Sequence, residues 1–272
     1  MHSLSLAPLS VLPCGPIEQL EVASVAAFDM VGMRLCPVSA TDPRIMDDAV
    51  LRRTILARLR ETSVQVLDIE VVRVGPALDV ASLEPVMEFG ATLGARFILC
   101  TLPLHDEGSP ADEGPTIERL VALCERTAQF GIKPVLEFMK FRRMATLDDA
   151  VRIAQDAAHP NLGICVDALH LARSGGTPEQ VAALPRAWLP YCQLCDAPKQ
   201  APPEDRIPYE ARFERLSPGR GELPLVDLLR ALPQNLPLSI EVPDVRQNAA
   251  PIVETVARLA EDTRKLVASI LR

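Results

Sequence analysis

Short apolar runs rich in β-branched residues alternate along this chain with longer amphipathic runs. Most short runs carry apolar residues at both odd and even positions, which is typical of strands buried on both faces of a parallel sheet. The pattern predicts eight strands: Leu4–Val11, Met30–Leu35, Val64–Val72, Phe97–Thr101, Pro134–Phe138, Gly163–Val166, Tyr191–Leu194 and Leu238–Val242.

Amphipathic runs fill the intervals between these strands. They predict helices over Pro16–Ala27, Asp42–Thr62, Leu83–Leu93, Ile117–Phe130, Thr146–Ala158, Leu225–Leu232 and Ile252–Leu271. Thr177 begins a capping box with proline at the first helical position, which indicates one more helix. Strands that are each followed by a helix predict a (β/α)8 TIM barrel, and we expect residues 1–272 to form a single domain of this α/β fold.

A doubly wound open sheet is the alternative fold. Its first turn usually carries a glycine-rich phosphate loop, whereas the turn here reads L-P-C-G-P. The one long connection, Lys199–Leu223, is rich in proline and charge, and loops of that length are usually functional.

Composition narrows the class of protein. A formal net charge of −8 argues against a nucleic-acid partner, because neutralising phosphates requires clustered Lys and Arg. No apolar run approaches the roughly 20 residues of a membrane helix, and we expect neither a membrane segment nor a signal peptide. Seven scattered cysteines suit reduced thiols in the cytoplasm, and we interpret the C-x-x-C pair Cys192 and Cys195 as packing thiols.

Polar residues stand near the ends of four consecutive predicted strands. They are Glu137, Asp167, Gln193 and Glu241. Each alone is compatible with a strand-end cap or an ion pair, but buried carboxylates placed together would take up protons unless a cation compensates them. Carboxylates with an amide oxygen suit Mn²⁺ or Mg²⁺, so the set predicts a divalent metal site at the catalytic end of the barrel.

Further polar residues are expected around the same mouth. His170 follows Asp167 by three residues, and Arg142 follows Glu137 in its loop. Arg215 lies in R-L-S-P-G-R-G-E-L, a turn that is also compatible with a solvated surface loop. Glu70, on strand three, is either a substrate contact or part of a structural ion pair. Arg34, Asp68, His105, Lys140, Arg143 and Arg220 are weaker candidates.

Taken together, the motifs resemble the xylose isomerase-like TIM barrel superfamily. They are E on strand five, D-x-x-H on strand six, Q-L-x-D on strand seven, R-x-x-P-G-x-G-E-L and the final S-I-E. This superfamily contains sugar phosphate isomerases and epimerases and shares its fold with the endonuclease IV family. The four histidines of this chain and its net negative charge disfavour the DNA-repair branch.

The resemblance implies one divalent metal ion, Mn²⁺ first with Mg²⁺ or Co²⁺ as alternatives. The implied ligands are Glu137, Asp167, Gln193 and Glu241. It further implies that Glu137 and Glu241 act as catalytic acid and base, that His170 orients or protonates a substrate hydroxyl, and that Arg215 binds substrate oxygens. Arg142 and Glu70 are expected to contact substrate as well. The implied assembly is a homo-oligomer, either a dimer or a tetramer.

Three functions follow. The first is isomerisation or epimerisation of a sugar or sugar phosphate, a small polyhydroxylated ketone, through proton abstraction and an enediolate. The second is dehydration of a cyclic polyol ketone, because Gln193 stands where ketose 3-epimerases usually carry histidine. Q-L-C-D-A-P is similar to the V-Q-M-x-D-A-P of metal-dependent 3-dehydroshikimate dehydratases. The third is a non-catalytic barrel that binds a ligand.

Overall fold

The computed structural model of the chain describes residues 2–12, 14–245 and 251–270. Eight strands close into a barrel in sequence order, with each strand parallel to the next and β8 paired to β1. The strands are β1 (Leu4–Leu6), β2 (Met30–Arg34), β3 (Gln65–Arg73), β4 (Phe97–Thr101), β5 (Lys133–Glu137), β6 (Gly163–Asp167), β7 (Cys192–Leu194) and β8 (Leu238–Ile240). The predicted (β/α)8 barrel is confirmed.

Helices connect the strands around the outside. They are α1 (Pro16–Val25), α2 (Ala49–Glu61), α3 (Glu84–Leu93), α4 (Glu113–Ala128), α5 (Leu147–Ala157), α6 (Ala168–Arg173), α7 (Pro178–Ala182), α8 (Ile207–Phe213), α9 (Leu225–Ala231) and α10 (Ile252–Ile270). The predicted capping box at Thr177 is confirmed, and Thr146 caps α5 in the same way, since each threonine accepts a hydrogen bond from the third residue of its helix. Of the predicted last helix, Leu271 lies outside the described residues.

Several element bounds differ from prediction for local reasons. The strand predicted over Leu4–Val11 ends at Leu6, and Pro8–Val11 forms a 3-10 turn because proline has no N–H for a strand ladder. The helix predicted from Asp42 begins only at Ala49, where the Asp48 carboxylate accepts the first free N–H groups. The long connection predicted as a loop contains α8, and Ala168–Arg173 forms a helix that was not predicted.

The core has two parts because side chains alternate between the two faces of each strand. One face packs against the surrounding helices in a large apolar cluster. The other face fills the inside of the barrel with Met30, Leu67, Leu99, Val135, Cys165 and Tyr191. On β5, β6 and β7 the residues two positions after these therefore also face the barrel interior, one layer nearer its carboxyl end.

Two further features of the described residues bear on the predictions. All seven cysteines are free thiols, and Cys192 and Cys195 are buried, which confirms their interpretation as packing residues. In the ranges that the structure describes, no helix has both the length and the apolar character needed to cross a membrane.

Candidate functional site

Strand alternation brings four of the predicted residues into one layer. Glu137, Asp167 and Gln193 each follow an inner apolar residue by two positions, and Asp167 pairs in register with Gln193. Glu241 lies directly after β8, where its backbone N–H donates to Leu194 O at 3.1 Å and continues the strand. None of the four is more than 5% exposed. We call Glu137, Asp167, Gln193 and Glu241 the carboxylate layer.

Arg215 lies within this layer. Its guanidinium forms ion pairs with Asp167 Oδ2 at 2.5 Å and with Glu241 Oε2 at 3.0 Å. Its Nε donates to Ala211 O at 2.7 Å, and the side chain is 1% exposed. The predicted substrate contact is thus also the ionic partner of two carboxylates, and its guanidinium reaches the cavity described below.

Asp196 holds the loop that follows Arg215 through backbone hydrogen bonds. Its Oδ2 accepts the N–H groups of Gly219 and Gly221 at 3.0 and 2.9 Å, and its Oδ1 accepts that of Leu223 at 3.0 Å. A Cβ on Gly221 would lie 2.5 Å from Ala197 O, so only glycine permits this approach. Arg220 is directed outward and binds Asp262 on α10 at 2.7 and 3.0 Å.

Gln193 contacts both its neighbouring strands. Its Nε2 donates to Glu241 Oε1 at 3.1 Å, while its Oε1 accepts from Cys165 Sγ at 3.6 Å. A half turn of the amide would present the oxygen to the layer in place of the nitrogen. The assignment of Gln193 as a ligand stays a prediction.

The position of His170 is set by the N-terminal cap of α6. Asp167 caps this helix and accepts the His170 N–H at 2.9 Å, which brings the imidazole beside Glu137 with Nε2 3.8 Å from Oε1. Its Nδ1 is buried and has no hydrogen-bond partner among the described residues. Glu137, Asp167 and His170 each offer a ligand atom within 4.8 Å of the others. His170 is therefore available to a cation as well as to substrate.

Burial and crowding set the protonation of these groups. Burial raises the pKa of Glu137 well above its usual range, and the Glu241 and Asp167 carboxylates raise it further. Burial likewise raises the pKa of Glu241 to about 8, although Arg215 opposes the shift. Burial would also raise the pKa of Asp167, but Arg215 and His170 outweigh it and the pKa is lowered. Burial lowers the pKa of His170 to about 4.

The residues of the layer fit a divalent cation. Burial and the neighbouring carboxylates raise the pKa of Glu137 and, to about 8, that of Glu241. Three buried carboxylates thus face one guanidinium, which leaves an excess of negative charge. A divalent cation compensates such an excess, and carboxylate, amide and imidazole donors suit Mn²⁺, Zn²⁺ and their neighbours. The unpartnered Nδ1 of His170 and the raised carboxylate pKa values both fit a site for a cation.

A cavity of about 340 Å³ opens from the layer to the barrel mouth. The predicted residues that line it are Glu137, His170, Arg215, Glu241, Arg142 and the weaker candidate Arg34. Glu70 lies behind Arg34, whose Nη2 donates to Glu70 Oε1 at 2.7 Å. His105 lines a neighbouring cavity instead, and Asp68 accepts the Tyr191 hydroxyl at 3.2 Å inside the barrel.

Several residues that line the cavity were not predicted, and three of them are relevant to ligand binding. Arg73 ends β3, Phe141 follows Glu137 by four residues, and Arg212 lies on α8. Strict alternation places Arg73, three residues after Glu70, on the opposite face of β3, so it does not indicate Arg73. The register of β3 against β4 shifts between Ile69 and Val72. No signal in the sequence indicates Arg212, because it depends on a helix that was taken for a loop.

Comparison with known proteins agrees with the barrel fold described above. Residues 22–262 match the family described as xylose isomerase-like TIM barrel. A 3-dehydroshikimate dehydratase of Pseudomonas putida is 28% identical over 164 residues, which are 56% of this chain and 25% of that protein. The chain therefore spans only about a quarter of the length of that curated relative.

Solved structures share the fold along the whole chain. The IolI protein with a bound zinc atom has a TM-score of 0.81 at 17% identity and covers 98% of this chain and 99% of its own. The D-psicose 3-epimerase of Clostridium cellulolyticum has a TM-score of 0.76 at 12% identity, with 99% of each chain covered. At these identities the likeness shows the fold alone.

Proposed function

The chain belongs to the xylose isomerase-like TIM barrel family, and we propose that it is a metal-dependent enzyme that removes a proton beside a substrate ketone. The substrate class is a small polyhydroxylated ketone. The observation that carries the proposal is the buried carboxylate layer, in which Glu137 and Glu241 have raised pKa values and line a cavity.

We assign Glu137, Asp167, Gln193 and Glu241 to hold the metal, with Mn²⁺ first and Mg²⁺ or Co²⁺ as alternatives. His170 is an additional candidate ligand on the distance grounds given above. A bound divalent cation would polarise the ketone and so make the neighbouring proton more acidic.

Glu137 is the base that we propose. It lines the cavity, and its Oε1 lies 3.8 Å from His170 Nε2. Glu241 is held more firmly, because Gln193 donates to one of its oxygens and Arg215 to the other. A carboxylate with a raised pKa is a stronger base once it is ionised, which suits proton removal from carbon.

This asymmetry favours dehydration, which needs only one base. Glu137 removes the proton beside the ketone, the hydroxyl on the next carbon leaves, and the same proton returns to it as water forms. His170 is close enough to Glu137 to carry that proton. The product is an unsaturated ketone at the same overall oxidation level. Gln193 and the relative named 3-dehydroshikimate dehydratase support a cyclic polyol ketone of that kind as substrate.

Isomerisation or epimerisation is the second candidate, and Glu241 favours it. Epimerisation needs an acid on the face opposite the base. Glu241 lines the same cavity and carries a pKa of about 8, so it can hold a proton to donate. The choice between lyase and epimerase therefore depends on whether Glu241 exchanges protons with substrate.

Proton NMR in D₂O distinguishes the two. Protein treated with chelator and reloaded with Mn²⁺ is mixed separately with 3-dehydroshikimate, an inosose, free ketoses and ketose phosphates. We expect 3-dehydroshikimate to lose water and give an aromatic product. Deuterium entering a ketose beside its carbonyl, with the skeleton retained, would establish the epimerase instead. No change in any substrate would contradict both.

We also propose a cytoplasmic location and a homo-oligomeric assembly of two or four chains. The seven free thiols support a reducing compartment. Light scattering coupled to size exclusion tests the assembly, and a monomer at all concentrations would contradict it.

A further inference from the structure

We propose that Arg73, Arg142 and Arg212 form a binding site for an anionic group of the substrate, a carboxylate or a phosphate. We call these three residues the arginine rim. The inference rests on the proposed function in one respect, since it assigns the anion to the same molecule whose ketone reacts at the carboxylate layer.

The rim residues come from three separate segments and meet at one cavity. Arg73 ends β3, Arg142 lies in the connection after β5, and Arg212 lies on α8. All three line the cavity that contains Glu137 and His170. The guanidinium carbons of Arg142 and Arg212 lie 6.0 and 5.2 Å from the centre of the Phe141 ring, so one aromatic ring supports two of the three cations.

No member of the rim has a carboxylate partner. Across residues 2–12, 14–245 and 251–270, none of the three forms an ion pair with Asp or Glu. The other two buried arginines that line the cavity both form ion pairs, Arg34 with Glu70 and Asp42, and Arg215 with Asp167 and Glu241. In a chain with 36 acidic residues and 28 basic ones, three unpaired arginines around one cavity require an explanation.

The three guanidinium groups also repel one another. Burial lowers the pKa of Arg142 to about 10, and the nearby charges of Arg73 and Arg212 contribute to the shift. Arg73 likewise contributes to a lowered pKa at Arg212, where burial is the larger cause. An anion between the three would remove this repulsion, and guanidinium groups bind carboxylate and phosphate oxygens through paired hydrogen bonds.

Other cations near the mouth do not belong to this site. Lys140 pairs with Glu204 at 3.0 Å, and Arg220 pairs with Asp262. Arg143 does not line this cavity; it lines the neighbouring one, which Arg73 also borders, and donates to Glu107 O at 2.6 Å. The rim is therefore a local set and not part of a generally basic surface, which suits an anion that enters this cavity.

Calorimetry with matched probe pairs tests the inference on the Mn²⁺-loaded protein. One pair is 3-dehydroshikimate and its neutral methyl ester, and the other is D-fructose 6-phosphate and D-fructose. We expect the charged member of one pair to bind at least tenfold more tightly than its neutral partner. The pair that shows the difference identifies the anion as carboxylate or phosphate.

Substitution then assigns the preference to the rim. Arg73→Gln and Arg212→Gln change exposed side chains, so we expect both variants to fold normally. Arg142→Gln changes a buried side chain. Each should weaken the charged probe about tenfold or more and leave the neutral probe unchanged. The matched control is Arg206→Gln, which removes an arginine just before α8 that lies outside the cavity.

The outcomes separate this inference from the proposed function. Equal binding of charged and neutral probes, or absence of binding by any charged probe, would overturn the arginine rim even if proton exchange occurs. If the preference for the charged probe survives all three substitutions, the anionic group of the probe binds the Mn²⁺ and not the arginines. That result would also overturn the arginine rim. A preference that the substitutions remove, in a protein that exchanges no protons, would support the rim and contradict the enzyme.

Discussion

The carboxylate layer and the arginine rim face the same cavity but differ in how they are built. The layer comes from strand ends, is nearly completely buried, and balances part of its own charge through Arg215. The rim comes mostly from connections, has two exposed members, and has no internal partner for its charge. Strand alternation fixes the layer, whereas the rim depends on how individual loops fold.

This difference assigns different tasks to the two regions. A buried excess of carboxylate suits a cation and proton transfer, and both depend on exact placement by rigid strands. An unpaired set of arginines suits recognition of one feature of the substrate, which loops can vary without disturbing the barrel. On this account the carboxylate layer determines the reaction, and the arginine rim determines which substrate binds. Four predictions test the role of the carboxylate layer.

The largest expected effect belongs to the proposed base. Glu137→Gln keeps the shape of the side chain and removes its ability to accept a proton, so turnover should fall by about 10³-fold, within the range usual for acid–base groups. The measurement is the rate of product formation or deuterium uptake by NMR. Glu204→Gln, at an exposed carboxylate of the mouth, is the matched control and should retain the rate. A Glu137→Gln protein with undiminished activity would remove Glu137 from the mechanism.

Arg215→Met should cause the largest loss of stability. It leaves Asp167 and Glu241 buried without their ionic partner, which typically costs about 3–5 kcal/mol. Urea unfolding of the cation-free protein measures the change, and Mn²⁺ should recover much of it by replacing the lost charge. Arg206→Met provides the exposed control. If the free energy of unfolding did not change, the two ion pairs would not stabilise the layer.

A smaller loss of stability is expected at Gly221, where Asp196 holds the loop that carries Arg215. In Gly221→Ala the new Cβ meets backbone and carboxylate oxygens at 2.5 Å, and such overpacking usually costs about 1–3 kcal/mol. Gly114→Ala is the control, because a Cβ there has no neighbour within 4 Å and alanine favours a helix. Equal melting temperatures for the two variants would show that the loop accommodates the new Cβ, which would contradict the predicted loss of stability.

The pH dependence of metal affinity gives the smallest effect. Cations compete with protons for carboxylates, and the pKa of about 8 at Glu241 means that protons still occupy the site at neutral pH. Raising the pH removes these protons. If Mn²⁺ displaces one proton, its affinity should rise by up to about tenfold per pH unit and level off above pH 8. Calorimetry in buffers of different ionisation enthalpy should also detect proton release. Constant affinity from pH 6 to 9 would contradict the raised pKa.

The same contrast explains what the sequence could and could not predict. The barrel, the strand-end positions of Glu137 and Asp167 and the glycine requirement at Gly221 follow from periodicity and turn chemistry. The sequence did not reveal that Arg215 pairs with the layer, because that contact joins residues 48 positions apart through a loop pinned by Asp196. Arg212 was missed for a related reason, since α8 lies inside a proline-rich connection that carries no clear helical period.

Mn²⁺ binding to chelator-treated protein tests the central claim most directly. Electron paramagnetic resonance counts free Mn²⁺ during a titration, and circular dichroism confirms that each variant is folded. The account predicts about one bound Mn²⁺ per chain in the natural protein and none at the same concentrations in Glu241→Ala. Undiminished binding by a folded Glu241→Ala protein would contradict the carboxylate layer as the metal site.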